Sequence, residues 1–502
     1  MLARTYSAIT QGLDPIKIEV EVNGSHGTPN LILIGLPNKS IDEAKERITA
    51  AIVNCGFRIK AKRVVVNLAP ADIYKSNNAL ELSIAIGLLA MYGDIPQPQA
   101  DVMFFGELSL TGEVKPIRGA LPLVLAARQF GATKVILPSQ NQDEVSVIGQ
   151  LAIYPVKHLS EVVSLLQTQF HRPPLTLKLY QPAQQSLEQD FTMIRGQLQA
   201  KRALEVAAAG GHNILLIGPP GAGKSLLSQA FASILPPLTQ TEAIEVTQIH
   251  SLKGLTLGRG LIDARPFRAP HHTTSQAGLI GGGIRLQPGE ISLSHRGVLF
   301  LDELPEFPSS CLEALRQPLE EGIVNISRAN GTVRYPARFQ LVAAANPCVC
   351  GYAGSRKKAC SCTPYQKLNY LKRISGPILD RIDMHIRVQE VETTDLVAAY
   401  PTAESSQTVG LRVQVARHRQ QDRYESEVVT NSSLKPSQVD RLLPRTPSAQ
   451  KLLHRAVDHY SLSARSYFKV IKLARSIADL GDSDLIDDSH VAEALQYRPR
   501  DK

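Results

Sequence analysis

The sequence predicts an α/β protein of three parts: a central parallel sheet covered by helices, a mixed α/β domain before it and a helical segment after it. Residues 1–168 mix strand-like runs such as "RVVVNLA" with helical patterns. Residues 191–390 alternate short apolar runs with helices, as a sheet with crossover helices does. A polar, proline-containing linker at 169–190 comes before this part, and a polar stretch opens the mostly helical segment 391–502.

Length and composition set the class of protein. The chain has 502 residues, of which 43% are apolar and 20% are charged, as is typical of a soluble globular protein. No apolar run approaches the roughly 18 residues of a membrane span, and the first residues lack the apolar stretch of a signal peptide. Six cysteines are too few for a disulfide-stapled chain of this size. We therefore expect a cytoplasmic protein with reduced thiols and no membrane partner.

Positive charge is concentrated in the central part. The whole chain has a formal net charge of +9, and residues 191–390 contain 22 Lys and Arg residues against 14 Asp and Glu residues. Almost all of the excess therefore lies in the segment that carries the predicted parallel sheet. Such an excess favours a polyanionic partner, although surface charge alone is weak support for one.

A phosphate-binding loop follows the first apolar strand of the central part. The run "NILLIGPPGAGKSLLSQAF" (213–231) joins a strand, a glycine-rich turn and an amphipathic helix. Gly218, Gly223, Lys224 and Ser225 satisfy the pattern G-x-x-x-x-G-K-[ST] in the context that it requires. Glycines let backbone N–H groups surround phosphate oxygens, and the helix N-terminus adds positive potential. Lys224 is expected to reach the β- and γ-phosphates, and Ser225 to bind magnesium.

Polar residues follow two further apolar strands. In "GVLFLDELPEF" (297–307), Asp302 and Glu303 come where a parallel sheet has its carboxyl edge, the edge at which such folds bind ligands. Asp302 is predicted to hold the magnesium shell, and Glu303 to polarise the attacking water. The run "RFQLVAAANP" (338–347) brings Asn346 to the same edge. Its amide would orient the water beside the γ-phosphate or would simply cap the strand.

Six segments, in order, carry a family resemblance. They read "GPPGAGKS", "FRAPHHTTS", "LFLDELPEF", "NPCVCGY", "LDRIDMHI" and "LSARSYFKVIKLARSIADL". Together with the N-terminal domain they resemble, over essentially the whole chain, the magnesium-chelatase-like AAA+ ATPases of the ComM/YifB type. The resemblance implies a P-loop ATPase core with a C-terminal helical lid, ATP and Mg²⁺ as cofactors, and a homo-hexameric ring. It further implies a helicase that drives branch migration and helps to integrate incoming DNA during natural transformation.

The same resemblance implies roles that the patterns alone leave open. Asp302 and Glu303 look like the Walker B pair, and Asn346 looks like sensor 1. Arg381, in "PILDRIDMHI", looks like an arginine finger offered to the nucleotide of the neighbouring subunit, where a guanidinium stabilises transition-state charge. Arg465, in the last of the six segments, looks like sensor 2, which contacts the γ-phosphate from the helical lid. From the sequence alone these are two arginines among many.

The resemblance also outlines the nucleotide pocket. Its members belong to the phosphate loop and to the segment "FTMIRGQ", which resembles the segment that borders the adenine. The residues expected to contact ATP are Gly218, Pro219, Pro220, Gly221, Ala222, Gly223, Lys224, Ser225, Leu226, Ile194 and Gln197.

Residues 1–168 resemble the Lon protease fold, an α+β domain of the ribosomal S5 domain 2 type. The match is clearest at "FFGELSLTGEVKPIRGALPLVLAARQFGATKVILP" (104–138). Proteolysis by that fold needs a serine nucleophile and a lysine that activates it. The stretch "DIYKSNNALELSIAIGLL" lacks the small-residue loop around a nucleophile, and Leu121 stands where the lysine would follow "RGA". We therefore expect a non-proteolytic scaffold or a DNA-binding collar.

A predicted hairpin is the first candidate for contact with DNA. In "GIVNISRANGTVRYPARF" (322–339), Asn330-Gly331 is the dipeptide favoured for a two-residue turn. In related ring helicases a hairpin at this place projects into the central pore. Arg328 and Arg334 would then grip phosphates. The alternative is a hairpin at a subunit interface whose arginines are merely solvated.

A long insertion at 263–290 is the second candidate. It contains three arginines that are further candidates for the pore, Arg265, Arg268 and Arg285. His271 and His272 are adjacent, so in an extended segment they point in opposite directions and do not easily chelate a metal. For this pair the sequence favours a structural role.

Four of the six cysteines follow the strand that ends at Asn346. They are spaced C-x-C-x9-C-x-C, which suits a tetrahedral zinc site although C-x-C is tighter than the usual C-x2-C. The loop between them is basic and almost without apolar residues, so a metal would supply its order. Reduced free thiols and redox disulfides are the alternatives. The zinc ligands are predicted to be Cys348, Cys350, Cys360 and Cys362.

Two functions of different classes follow from these features. The first is a hexameric DNA motor that acts on single-stranded, forked or four-way DNA, which the concentrated basic charge and the Lon-like domain favour. The second is a chelatase-like or protein-remodelling ATPase that acts on a protein partner. Stimulation of ATP hydrolysis by forked or four-way DNA separates them.

Overall fold

A computed structural model describes residues 1–35, 38–71, 75, 78–182, 189–283, 286–328, 331–356, 358–390 and 404–499. Its elements form an N-terminal mixed sheet with helices, a central parallel sheet with helices, and a C-terminal set of helices. Among the described residues, no helix is both long enough and apolar enough to cross a membrane.

The N-terminal part is built on a seven-stranded mixed sheet with strand order β3-β4-β2-β1-β5-β8-β9. Apolar side chains alternate along its strands, as the burial of every second residue of "RVVVNLA" shows. The strands are β1 (Leu2–Gln11), β2 (Asp14–Ser25), β3 (Asn30–Ile34), β4 (Arg63–Ala69), β5 (Val102–Phe104), β8 (Lys134–Pro138) and β9 (Ala152–Val156), and β6 (Glu107–Leu108) pairs with β7 (Val114–Lys115) in a separate hairpin.

Helices of this part cover the sheet. The second of them is buried along nearly its whole length, since it lies between the sheet and the first helix. They are α1 (Asn38–Asn54), α2 (Glu81–Tyr92), α3 (Ala120–Gln129), α4 (Gln142–Val145) and α5 (Leu159–Gln167), with 3₁₀ turns at Asn78–Leu80 and Ser139–Asn141.

The resemblance to Lon places a catalytic lysine where this chain has Leu121. Leu121 lies in α3, buried in the apolar core of the N-terminal part. The stretch that would carry the serine lies only partly within the described residues. At the lysine position this core therefore holds a side chain that cannot activate a nucleophile.

The central part is a five-stranded parallel sheet with strand order β11-β14-β17-β10-β18. Its inner strands read "ILLI", "VLFL" and "QLVAAA" and are buried on both faces, as parallel strands between helix layers must be. The strands are β10 (Ile214–Ile217), β11 (Phe267–Arg268), β14 (Val298–Leu301), β17 (Gln340–Ala345) and β18 (Met384–Arg387).

Two small hairpins and a set of short helices surround this sheet. The hairpins are β12 (Gly281–Gly282) with β13 (Gln287–Pro288), and β15 (Ile323–Arg328) with β16 (Gly331–Pro336). The helices are α6 (Leu198–Gly210), α7 (Lys224–Ser233), α8 (Gln240–Lys253), α9 (Gln276–Ile280), α10 (Glu290–Leu293), α11 (Ser309–Ala314), α12 (Arg316–Glu321), α13 (Pro364–Lys372) and α14 (Gly376–Leu379), with 3₁₀ turns at Phe191–Met193 and Leu304–Glu306.

The C-terminal part is a helical lid that shares one apolar core with the sheet. Its centre is the buried carboxylate of Asp479, which accepts hydrogen bonds from Arg423, Asn431 and Arg475. The helices are α15 (Ser406–Tyr424), α16 (Pro436–Leu442), α17 (Pro447–Tyr460), α18 (Ala464–Leu480) and α19 (Asp488–Gln496), with a 3₁₀ turn at Asn431–Ser433.

The N-terminal part is joined to the central part through buried polar contacts. Glu144 of α4 accepts hydrogen bonds from Ser251 at 2.8 Å and Thr256 at 2.7 Å, which both lie in or just after α8. The backbone N–H of Gly119 donates to the carbonyl of Ser251. Burial raises the pKa of the Glu144 carboxyl, and these donors oppose that shift. The two parts are therefore held together by a buried carboxylate with several donors.

Candidate nucleotide site

The phosphate loop has the backbone shape that its sequence predicts. It leaves β10 at Ile217 and enters α7 at Lys224. Gly223 has a φ of 87°, in the left-handed region that favours glycine. A Cβ at Gly218 would come within 2.3 Å of the carbonyl oxygen of Val388. The close approach of these two backbone segments therefore also requires glycine at this position. The loop thus ends at a helix N-terminus, where backbone N–H groups can meet phosphate oxygens.

Lys224 is held inside this loop. Its ammonium donates to the carbonyls of Gly218 at 2.7 Å and Pro219 at 3.0 Å, and to the Oδ1 of Asn346 at 3.1 Å. Burial lowers the pKa of Lys224, while the carboxylates of Asp302 and Glu303 act in the opposite direction. A buried cation bound mainly by neutral groups is well suited to take up a phosphate.

The predicted magnesium residues face each other. Ser225 Oγ donates to Asp302 Oδ2 at 2.9 Å, and the other oxygen of Asp302 accepts from the backbone N–H of Glu303 at 2.9 Å. Mg²⁺ prefers oxygen ligands and is usually bound by one or two protein groups together with substrate phosphates. A hydroxyl and a carboxylate beside the phosphate loop fit that ion. The parallel register of β14, β17 and β10 is what brings these residues and Asn346 to one edge.

Glu303 has a contact that the sequence analysis missed. Its backbone is left-handed, with a φ of 51°, and its carboxylate is 49% exposed. The Nδ1 of His272 lies 3.4 Å from its Oε2. His272 follows β11, the two-residue strand beside β14, and so short a strand leaves no periodic signal in the sequence. Of the adjacent histidines, at least this one faces the nucleotide site.

The segment expected to border the adenine also lies at the phosphate loop. Gln197 donates from Nε2 to the carbonyl of Ala222 at 3.2 Å. Ile194 is buried in the core that includes α6 and α7, and its carbonyl accepts from Lys201 at 2.6 Å. The structure thus brings Gln197 next to the loop and places Ile194 in the same apolar core as Ala222.

Arg381 and Arg465 lie at the opposite edge of the sheet. Ile214 pairs with Met384 in parallel, so Arg381, three residues before Met384, is at the amino edge, whereas the phosphate loop follows the carboxyl end of β10. Arg465 is beside Arg381, because both guanidinium groups donate to Glu320. In this arrangement Arg465, predicted to contact a γ-phosphate, lies across the sheet from its own Lys224.

The four predicted zinc ligands form one cluster. Cys348 Sγ lies 3.4 Å from Cys350 Sγ and 3.7 Å from Cys360 Sγ, and the latter two are 3.6 Å apart. The four sulfur atoms lie within 4.8 Å of one another. Zinc bonded to four thiolates at about 2.3 Å would space them by roughly 3.8 Å. The donor set therefore fits a tetrahedral zinc ion, and none of these four cysteines is joined in a disulfide.

The cysteine loop touches the phosphate loop. A Cβ at Gly351 would lie 2.8 Å from two ring carbons of Pro220, and the residue has a φ of 84°. Cys348 itself is buried and follows Asn346 by two residues. The cysteine cluster therefore lies next to Asn346, the residue whose side chain contacts Lys224.

The predicted hairpin is formed, with one face buried and the other exposed. Val324, Ile326 and Val333 are in the core, whereas Arg328 and Arg334 are exposed. Asn330, placed at its turn by prediction, is outside the described residues.

The arginines of the insertion differ from the expectation. Arg268 makes a bidentate pair with Glu290, and Arg265 donates to Glu242 and to the carbonyl of Arg296. These contacts give both arginines structural partners within the chain, since Arg268 is bound bidentately and Arg265 is bound by several acceptors. Arg285, the third candidate, lies outside the described residues.

Comparison with known proteins gives full-length matches. The models "Subunit ChlI of Mg-chelatase", "Magnesium chelatase, subunit ChlI" and "Magnesium chelatase, subunit ChlI C-terminal" match residues 20–141, 190–396 and 403–498. The chain is 40% identical to "Competence protein ComM" of Haemophilus influenzae, over 99% of this chain and 97% of that protein. It is 39% identical to "Uncharacterized protein YifB" of Escherichia coli, over 100% and 97%. An archaeal Lon protease of Thermococcus kodakarensis is 29% identical over 30% of this chain and 24% of its own length.

Proposed function

We propose that this chain, which belongs to the ComM/YifB family of magnesium-chelatase-like AAA+ ATPases, is a hexameric DNA motor. In this proposal ATP hydrolysis drives branch migration and helps to integrate incoming DNA during natural transformation. The ATPase itself, with ATP and Mg²⁺, follows from the family and fits the site described above. The observation that carries the DNA proposal is the hairpin β15–β16, because it is anchored in the ATPase core and presents Arg328 and Arg334 to solvent.

Hydrolysis is assigned to residues at the carboxyl edge of the sheet. Lys224 and the loop backbone would bind the β- and γ-phosphates, and Ser225 and Asp302 would hold Mg²⁺, which would supply neutralisation of the phosphate charge. Glu303 accepts a proton from the attacking water, and Asn346 orients that water. His272 is placed to hold the Glu303 carboxylate before the water is engaged, given the 3.4 Å between them.

The second half of each site comes from a neighbouring subunit. Arg381 and Arg465 lie at the amino edge of the sheet, away from their own phosphate loop. Each guanidinium is therefore proposed to meet the γ-phosphate bound by an adjacent chain and to stabilise the charge that develops there. A ring is the assembly in which every subunit has such a neighbour.

Replacing Arg328 and Arg334 by alanine is expected to weaken DNA binding at least ~10-fold at low salt, because phosphate contacts supply most sequence-independent affinity. The slope of log affinity against log salt should become shallower. Basal ATP hydrolysis should stay near the wild-type rate, since neither side chain touches the nucleotide residues. The measurement is binding and ATP-driven migration of a synthetic four-way junction, compared with single-stranded and forked DNA.

The double variant Arg441→Ala, Arg455→Ala, at exposed arginines of α16 and α17, removes the same two charges and is the matched control, which should bind DNA normally. Equal losses in the control and in the hairpin variant would show only an effect of net charge. If assembled wild-type protein hydrolyses ATP but neither binds nor migrates any of these DNAs at low salt, the DNA proposal is wrong, and action on a protein partner takes its place.

We also propose that the cysteine cluster holds one zinc ion that fixes the loop behind Asn346. Metal analysis of purified protein should find about one zinc per chain, and the double variant Cys360→Ser, Cys362→Ser should lose it. Cys55→Ser is the control, because Cys55 is distant from the cluster in the N-terminal part and should leave the zinc content unchanged. Wild-type protein without zinc, whose four thiols all react freely under native conditions, would contradict this assignment.

A further inference from the structure

One carboxylate binds both arginines of the amino edge. Glu320 Oε1 accepts from Arg381 Nη2 at 2.5 Å and from Arg465 Nη2 at 2.7 Å. These two contacts hold the pKa of Glu320 below its usual value, the contact with Arg381 having the larger effect. The two guanidinium groups proposed to act on the nucleotide of a neighbouring subunit thus form ion pairs with a carboxylate of their own chain.

The three side chains differ in how firmly they are placed. Arg381 is only 9% exposed, and its Nη1 donates to the carbonyl of Pro377. Its Nε is buried and has no hydrogen-bond partner among the described residues. Glu320 is 43% exposed and Arg465 is 47% exposed. The guanidinium of Arg381 is therefore fixed, whereas the carboxylate beside it can leave toward solvent.

Glu320 is connected to the proposed DNA hairpin by a very short path. It lies in α12, which ends at Glu321, and Gly322 then leads directly into β15. Gly322 has a φ of 67°, a left-handed turn that sets the direction of the hairpin relative to the helix. A displacement of β15 therefore moves the Glu320 side chain, provided that the backbone angles at Gly322 stay the same.

A second hydrogen bond connects the helices that precede the hairpin, α11 and α12, to the segment that carries Arg381. Glu313 of α11 accepts from Ser375 Oγ at 2.8 Å. Ser375 precedes α14, and that helix leads into Arg381. Glu313, near the end of α11, and Glu320, near the end of α12, thus contact the segment 375–381 at two points.

A phosphate can displace this carboxylate. The Glu320–Arg465 pair is nearly half-exposed on both sides, and such a pair is weak and is screened by salt. Arg381 is more buried, so its contact with Glu320 is lost when the exposed carboxylate moves away. The γ-phosphate of a bound nucleotide carries more negative charge and accepts several charged hydrogen bonds. An adjoining nucleotide therefore competes well for both guanidinium groups once Glu320 shifts.

We infer that Glu320 is a positioning residue that holds Arg381 and Arg465 off the neighbouring nucleotide until DNA displaces the hairpin. This inference rests on the proposed function, since it assigns to DNA the force that moves β15. It makes hydrolysis in one subunit depend on DNA contact in the subunit beside it.

The test is Glu320→Gln in the full chain, which keeps the shape of the side chain and removes its charge. The DNA-free hydrolysis rate of assembled protein should rise on the order of ten-fold, the scale of losing a charged hydrogen bond. The ratio of DNA-stimulated to DNA-free rates should fall toward one. Affinity for DNA should not change. Assembly is checked by sedimentation at the concentration of the assay.

Glu321→Gln is the matched control. Glu321 is the next residue of the same helix and is exposed, and it accepts a hydrogen bond from Gln317 at 2.9 Å. This variant loses the same charge at nearly the same place, and its stimulation ratio should equal that of the wild type. Glu320→Asp keeps the charge and should therefore retain part of the wild-type ratio of DNA-stimulated to DNA-free rates. A merely structural role for the side chain would not predict this difference between Asp and Gln.

Three outcomes would overturn the inference. One is an unchanged stimulation ratio in Glu320→Gln. Another is a parallel fall of both rates, which would mean that Glu320 supports the arginines in the active state. The third is a rise in the DNA-free rate that persists after Arg381→Ala is added, because the effect would then not pass through that arginine. If the wild type neither binds nor migrates DNA, the proposed function fails, and the DNA-free rates still test Glu320.

Discussion

Rings assembled from Arg381→Ala subunits are expected to hydrolyse ATP ~10³-fold or more slowly than wild-type rings, the scale of losing an arginine that acts in trans. Nucleotide binding should persist, because the phosphate loop lies at the other edge of the sheet. The measurements are steady-state hydrolysis and binding of a fluorescent ATP analogue. Arg381→Lys keeps the charge but not the forked donor geometry, so it should remain strongly impaired.

Mixing two inactive variants tests whether Arg381 acts between chains. Lys224→Ala loses its own nucleotide site and keeps Arg381, whereas Arg381→Ala keeps its nucleotide site. In mixed rings some interfaces combine an intact loop from one chain with an intact arginine from the next, so hydrolysis should reappear. If no mixing ratio restores hydrolysis although mixed assemblies form, Arg381 does not act in trans.

Replacement of Glu303 by glutamine is the second large effect. We expect ATP to bind and hydrolysis to fall at least ~10²-fold, because the amide cannot accept the proton of the attacking water. Single-turnover hydrolysis and filter binding of labelled ATP separate the two steps. Glu306→Gln is the control, since Glu306 is three residues further on and pairs with Arg373 at 2.9 Å. Normal turnover of the Glu303→Gln protein would remove this residue from the mechanism.

Much of the nucleotide site could be predicted from the sequence because parallel strands end at a common edge. The glycine pattern fixes the phosphate loop, and a polar residue directly after an apolar strand must lie beside it. For that reason Lys224 lies within hydrogen-bond distance of Asn346, and Ser225 lies within hydrogen-bond distance of Asp302. The predicted fold class, an α/β core with a Lon-like domain before it and a helical lid after it, is confirmed.

Contacts between side chains of distant elements could not be predicted in this way. His272 reaches Glu303 from a loop whose path no periodicity specifies. Glu320 meets Arg381 and Arg465 because three separate elements converge at the amino edge, and each is only one charged residue among many in the sequence. Arg268 was a candidate for DNA contact until its bidentate partner, Glu290, could be seen.

The two edges of the central sheet have a consequence for how such a ring could load. Each chain carries the nucleotide loop on one edge and its two arginines on the other, so in the proposed ring every working site would be assembled from two chains. An open arc of such subunits would end in a chain whose nucleotide no arginine reaches. Enclosure of a DNA strand would join the two ends of the arc, and this closure would turn the silent seam into one more active site.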